Sequence, residues 1–485
     1  MTNPIKGENG GEPELADAIS QVPFADPTHF EWYMFKDDTS NYPMTFTLVW
    51  TFRGACHVGR WQQALNETIE THPLTQCVMA KDPSNHNLFW KMTSIIPQIQ
   101  LFDANKDQLQ TECFQNWQFI DLSRECGIKA AIVSNGETWQ FLLTLHHAVS
   151  DGIGAFEFSS DLFDAYEKTG WSDKGSSSAS GRFAKPASVS MLPNRHDLDR
   201  SIPYSVSRWT ATKFFAFELI KFVTRPAWNL AHLANCKAMA ITTSHPRRHA
   251  DPVLDGLQLV PIEFDESTTR KIRQVAQTNQ CSQNELLIAA CMSGIDKCRR
   301  SLLGNRKCWI TAILPINMRR ALKDRIPCHN GIGYSISRRA NSQCVDVWSN
   351  ANSIHAELKS VQKWSLAGLF LDTLGRIRSF PHWIQDRILR QCCPGTFVFS
   401  YVGAPIRRFP TRRTDGPTGV DLGDCQVTDF AAAPPVRRGT EIAILASMFQ
   451  GRLVLWLRHS QNGLPRSVVE AIAENIREEL ETAIG

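Results

Sequence analysis

Thr45 to Phe52 (TFTLVWTF) alternates along its length and is rich in β-branched and aromatic residues, which predicts a strand. From His57 to Thr71 the period lengthens, with Trp61, Leu65 and Ile69 four apart on one helical face. Ile128 to Val133 and Thr138 to Leu145 flank Asn135-Gly136, a pair suited to a tight turn, so a hairpin is expected. A helix follows over about residues 154–167. After residue 255 the pattern resumes with a strand at Leu257 to Phe264. Asp265-Glu266-Ser267 then opens a helix, placing negative charge at the positive end of its dipole. Ser282 and Glu285 have capping-box spacing, and the close-set Leu286, Leu287, Ala290 and Met292 behind them predict a deeply buried helix. Strands are expected at Cys308–Leu314, Gly333–Ser337, Thr396–Val402, Glu441–Ser447 and Leu453–Arg458, and an amphipathic helix near residues 465–482. Strands and helices mix in both halves, which predicts an α+β (mixed α/β) fold.

A chain of 485 residues is long for a single core. The expected division is a disordered segment over 1–20, an N-terminal subdomain over 21–205, a helical crossover over 206–254 and a C-terminal subdomain over 255–485. Within the first subdomain, residues 170–204 shift to Ser, Gly, Pro and Asn and read as a linker or surface loop. Trp209 to Leu233 is aromatic-rich, but Lys213, Glu218, Lys221, Arg225 and Pro226 interrupt it before the ~20 residues a bilayer span needs. A buried or interface helix is favoured there over a peripheral membrane contact.

Charge and cysteines narrow the function. A net charge of +4 is too small at this length to argue for nucleic acid. The pairs Arg247-Arg248, Arg407-Arg408, Arg412-Arg413 and Arg437-Arg438 suit a phosphate-bearing cosubstrate, although solvated arginines are the more ordinary reading. The 14 cysteines include no CxxC pair and no zinc-ligand spacing, so no metal is expected. No apolar signal segment opens the chain, so a cytoplasmic location with reduced thiols is the expectation. Nucleotide-binding glycine fingerprints are absent.

The chemistry concentrates in His146-His147-Ala148-Val149-Ser150-Asp151-Gly152, between the second hairpin strand and the helix after it. A strand-to-helix turn commonly carries reacting groups. An imidazole with an ordinary pKa near 6.5 takes a proton at physiological pH. Asp151 either fixes the tautomer or anchors the turn through a salt bridge, and Gly152 removes a Cβ where a ligand approaches. The plainer reading is a surface turn with two neighbouring histidines.

This HHxxxDG stretch resembles the signature of the chloramphenicol-acetyltransferase-like superfamily, which includes condensation domains and alcohol or wax-ester acyltransferases. Other pieces follow in order: His72-Pro73-Leu74, Gln283-Asn284-Glu285-Leu286-Leu287, Pro315-Ile316-Asn317-Met318-Arg319, Asn330-Gly331-Ile332-Gly333 and Phe399-Ser400-Tyr401-Val402-Gly403. The resemblance implies two similar subdomains, each a mixed sheet with flanking helices, and an active site at their interface. It implies that His147 is the general base, that His146 is structural, and that Asp151 pairs with Arg319. It implies a path for the donor past Gly152, with Asn317 and Ser400 as supporting residues. It further implies that no cofactor is held permanently, that the cosubstrate is acyl-CoA or the phosphopantetheine thioester of an acyl-carrier protein, and that the partners are that donor, a small-molecule acceptor and, in the alternative, a carrier protein.

The sequence also departs from the pattern. Thr75 and Gln76 stand where the family carries leucine and arginine, and Asp429-Phe430-Ala431-Ala432-Ala433 only echoes the plant-type DFGWG strand. Tyr401 replaces an asparagine, and Ser400 suits either an oxyanion donor or a buried strand position. With no serine or cysteine in a nucleophile elbow, direct transfer without an acyl-enzyme is expected. The function expected is acyl transfer from a CoA thioester to a hydroxyl or amine. The alternatives are a condensation enzyme using carrier-protein thioesters and a non-catalytic binding module of the same fold.

Overall fold

The computed structural model describes residues 25–84, 86–103, 119–135, 138–172, 257–305, 307–319, 329–364, 366–391, 395–405, 420–437, 439–440, 442–461 and 463–485. The expected disordered segment 1–20, the crossover 206–254, nearly all of the loop 170–204 and every arginine pair except Arg437 lie outside the described residues. So does His245–His249.

The first half runs α1 (His29–Asp37), β1 (Thr45–Gly54), α2 (Val58–Thr71), β2 (Cys77–Lys81), β3 (Leu88–Met92), β4 (Ile99–Asp103), β5 (Ile128–Asn135), β6 (Thr138–His146) and α3 (Gly152–Ser172). The second runs β7 (Leu257–Phe264), α4 (Glu266–Thr278), α5 (Gln283–Leu303), β8 (Trp309–Asn317), β9 (Ile332–Ala340), α6 (Val347–Lys363), α7 (Gly368–Arg378), α8 (His382–Gln391) and β10 (Phe397–Gly403). It closes with β11 (Val420–Asp421), β12 (Cys425–Ala433), β13 (Ile442–Phe449), β14 (Arg452–Ser460) and α9 (Arg466–Ile484).

Two six-stranded mixed sheets result, with orders β11-β12-β1-β6-β5-β4 and β7-β14-β13-β10-β8-β9. In the first, β4 and β5 are parallel; in the second, β10 runs parallel to both β13 and β8. The sheets do not divide cleanly along the sequence, because β12 from the second half pairs with β1 over Thr47–Gly54.

Cross-strand chemistry fixes the first register. Thr47 lies opposite Thr144, their hydroxyls 2.8 Å apart, and Phe52 lies opposite Trp139 with the rings stacked at 4.2 Å. The helical face read from α2 puts Trp61 against this pair and stacks it on Tyr166 at 4.0 Å, fully buried. In the second half α5 is buried along most of its length, as its close-set apolar residues predict. Glu285 accepts the Ser282 N–H at 2.5 Å, closing its first turn. A Cβ at Gly294 would stand 2.8 Å from the Ile476 backbone nitrogen, so that glycine lets α5 and α9 touch.

Arg458 of β14 ties the sheets together. Its guanidinium is buried and donates to the carbonyls of Pro434 (2.7 Å) and Thr45 (3.4 Å), at the end of β12 and the start of β1. Met44, next to Thr45, supplies the carbonyl on which the functional turn hangs. Among the described residues no helix is long and apolar enough to cross a membrane.

Candidate active site

β6 ends at His146, and the turn behind it is pinned on several sides. The His147 N–H donates to the Met44 carbonyl at 2.6 Å, and the His146 N–H donates to Gly127 at 2.9 Å. His146 is completely buried. Its Nδ1 accepts the Ala148 N–H at 3.0 Å, so its ring proton is assigned to Nε2, 3.7 Å from an Asp38 carboxylate oxygen. Asp38 also accepts the Met44 N–H at 2.7 Å. His146 thus holds the turn from inside, away from the cavity.

Asp151 is the second anchor. Its two oxygens accept both terminal nitrogens of Arg319, at 2.7 and 2.8 Å. They also take the N–H groups of Ile153 (3.0 Å), Gly154 (2.9 Å) and Gly331 (2.8 Å). Burial works to raise the pKa of this carboxyl, but the guanidinium and the backbone donors outweigh it and hold the pKa at about 2. Arg319 donates further to the His329 carbonyl at 2.6 Å, and its own N–H is received by Asn317 at 3.0 Å. A side chain at Gly331 would meet Arg319 at 2.7 Å, which accounts for glycine there. One ion pair therefore ties the start of α3, the end of β8 and the start of β9 into one corner.

His147 emerges from that corner into a cavity of about 340 Å³ between the two sheets. Its ring sits between Phe30 and Phe46, with centroids at 5.9 and 5.4 Å. Burial among these rings lowers its pKa from the ordinary value, and the nearby Asp151 charge opposes this only in part. The imidazole is therefore neutral at pH 7 and able to accept a proton. Its own carbonyl and the Asn330 side chain lie close enough to favour the protonated ring, against the larger effect of burial, while the buried Nδ1 makes no hydrogen bond. Asn330 is itself buried and donates to the Ala148 carbonyl at 3.0 Å.

Gly152, Asn317 and Ser400 line the same cavity as His147 and Asp151, whereas His146 and Arg319 stand behind its wall. The remaining lining is mostly apolar. It includes Tyr33 of α1, Tyr334 of β9, and Phe370, Leu374 and Ile377 of α7. The charged residues facing it, among those described, are Asp151 and Arg437. Arg437 is paired with Asp37 and lies over the Tyr33 ring, 5.1 Å from its centroid, so it is neither a solvated arginine nor open to a phosphate. The sequence pattern leaves Asn330 without a role and predicts no helix at α1, α6, α7 or α8. The HF-WYMF run of α1, with Phe30, Tyr33 and Met34 buried, was the signal that could have shown it.

No family model matches the chain, and no curated protein matches it. Solved structures do. The trichothecene 15-O-acetyltransferase TRI3 from Fusarium sporotrichioides superposes with a TM-score of 0.65 at 13% identity, over 95% of this chain and 94% of that one. The first condensation domain of the calcium-dependent antibiotic synthetase gives 0.61 at 14%, over 96% and 97%. Polyketide synthase associated protein 5 from Mycobacterium tuberculosis gives 0.59 at 14%, over 94% and 98%. The chain therefore has the mixed α/β fold shared by condensation domains and chloramphenicol-acetyltransferase-like enzymes, and at these identities the likeness is one of fold.

Proposed function

We propose that the protein is an acyltransferase that moves an acyl group from a thioester to the hydroxyl or amine of a neutral, largely apolar acceptor. The observation that carries this reading is a desolvated imidazole, His147, facing an apolar cavity from a turn locked by the Asp151–Arg319 pair. Nε2 of His147 takes the acceptor's proton as its oxygen or nitrogen attacks the thioester carbonyl carbon. The tetrahedral adduct then collapses, the C–S bond breaks, and the leaving sulfur receives the proton back from His147. Ser400 is the candidate donor to the oxyanion. Charged acceptors are disfavoured, because both charged residues on the wall are already paired.

Acyl-CoA is the proposed donor, with a carrier-protein thioester as the alternative. Condensation domains are among the solved structures of this fold, which supports testing both. The test is purified protein with a panel of acyl-CoA species and acyl-carrier protein against hydrophobic alcohols and amines, read by mass spectrometry. His147→Ala should lose about 10²–10⁴-fold in turnover while keeping its fold. Full turnover in that variant would remove the base assignment, and no product from any pair would remove the function.

A further inference from the structure

A second cavity, of about 640 Å³, opens beside the first and differs from it in chemistry. Most of the residues on its wall carry polar side chains, among them Arg273, Gln277, Ser282, Gln283 and His355, gathered around the start of α5. Strand β10 runs between the two spaces. Val398, Ser400 and Val402 face the cavity of His147, while Gly403 and Ala404 face the polar one. Tyr401 belongs to both linings, and no other described residue of either wall does.

The tyrosine hydroxyl donates to Gln283 Oε1 at 3.3 Å and approaches Met448 Sδ at 3.4 Å. The first distance is long for a hydroxyl bond, and the ring also packs against the core of the second sheet. Gln283 has its other end uncommitted: its Nε2 is buried and makes no hydrogen bond. An amide with a vacant donor beside that hydroxyl is a pair that can exchange partners.

We propose that Tyr401 is a movable partition between the two cavities, and that its displacement lets a thioester's reacting carbon reach His147 from the polar side. This rests on the acyl-transfer reading above. With the ring in place, the basic nitrogen shares its chamber only with the apolar substrate. With the ring swung aside, the two chambers join. A donor then lies with its charged end towards Arg273 and its acyl carbonyl at His147. The closed position also limits a side reaction in which water replaces the acceptor, its oxygen bonding to the carbonyl carbon while the C–S bond breaks and the thiol leaves with a proton. Tyr401 acts on access and not on the reacting atoms, so it is a specificity residue and not a catalytic one.

The experiment compares wild type, Tyr401→Phe and Tyr401→Ala in three measurements. These are acceptor-free thiol release from octanoyl-CoA, affinity for desulfo-CoA by calorimetry, and thermal melting. Removing the partition should raise acceptor-free thiol release on the order of tenfold and tighten desulfo-CoA binding severalfold. Removing only the hydroxyl should move both in the same direction by a smaller factor. A folded Tyr401→Ala protein unchanged within twofold in both measurements overturns the proposal. If that variant does not fold, Tyr401→Phe decides by the same criterion. A wild type that transfers acyl groups while the variants are unaltered refutes the partition alone. A wild type that neither binds desulfo-CoA nor releases thiol refutes the partition and the CoA reading together.

Discussion

Asp151→Asn separates anchoring from chemistry and can be worked through in numbers. Asp151 and Arg319 are both largely buried, and the carboxylate receives two guanidinium and three backbone donors. The amide removes the negative charge, and its NH₂ group must face donors that it cannot accept from. Breaking a buried pair from one side typically costs about 3–5 kcal/mol, because the other charge stays buried without compensation. At about 2.1 cal/mol/K of unfolding entropy per residue over 485 residues, thermal melting should therefore fall by about 3–5 °C. The pH dependence supplies a second readout. With the folded carboxyl at about 2 and an unfolded value near 3.9, ionisation contributes about 3 kcal/mol. That contribution is fully present above pH ~4 and is lost as the pH falls through about 2, so the gap between wild type and Asp151→Asn should narrow in acid. Removing Arg319 as well should cost less than the two single losses summed. An Asp151→Asn protein that melts within 1 °C of wild type at pH 7, with no narrowing in acid, would falsify the anchoring argument.

Three further outcomes are expected. The acid limb of kcat/KM for transfer should lie below pH 6.5, since burial lowers the His147 pKa and the base is active only when neutral; a limb above 7 would contradict that environment. Gly152→Ala should melt at or above the wild-type temperature, because the new Cβ meets only Val402 at 3.8 Å, yet transfer should drop as the methyl narrows the cavity; unchanged kinetics would mean substrate does not pass there. Trp61→Ala should destabilise by about 3–5 kcal/mol in chemical denaturation through the hole left beside Tyr166 and Phe52, and a loss under 1 kcal/mol would show that the core collapses around it.

Short-range features were legible in the sequence. The alternation of β1, the antiparallel pairing of β5 with β6, and the cap of α5 all depend on neighbours a few residues apart. The motif turn was legible for the same reason, since strand and helix patterns flank it directly. Partners supplied from far along the chain were not. β12 enters the first sheet beside β1 with 372 residues between Phe52 and Cys425 of the two strands, and nothing local marks that pairing. Asn330 reaches the His147 turn only through the fold, and Arg437 reads as one of a surface pair until Asp37 is brought to it. Tyr401 was visible as a departure from the family pattern, but its place between two chambers follows only from the path of β10.

The late arrival of β12 has a consequence for synthesis. Until residue 433 has left the ribosome, β1 presents a bare row of amide and carbonyl groups with Trp50 and Phe52 beside it. A fragment that stops before residue 420 keeps that edge open permanently, and it should associate with itself or bind chaperones instead of standing alone as a soluble half.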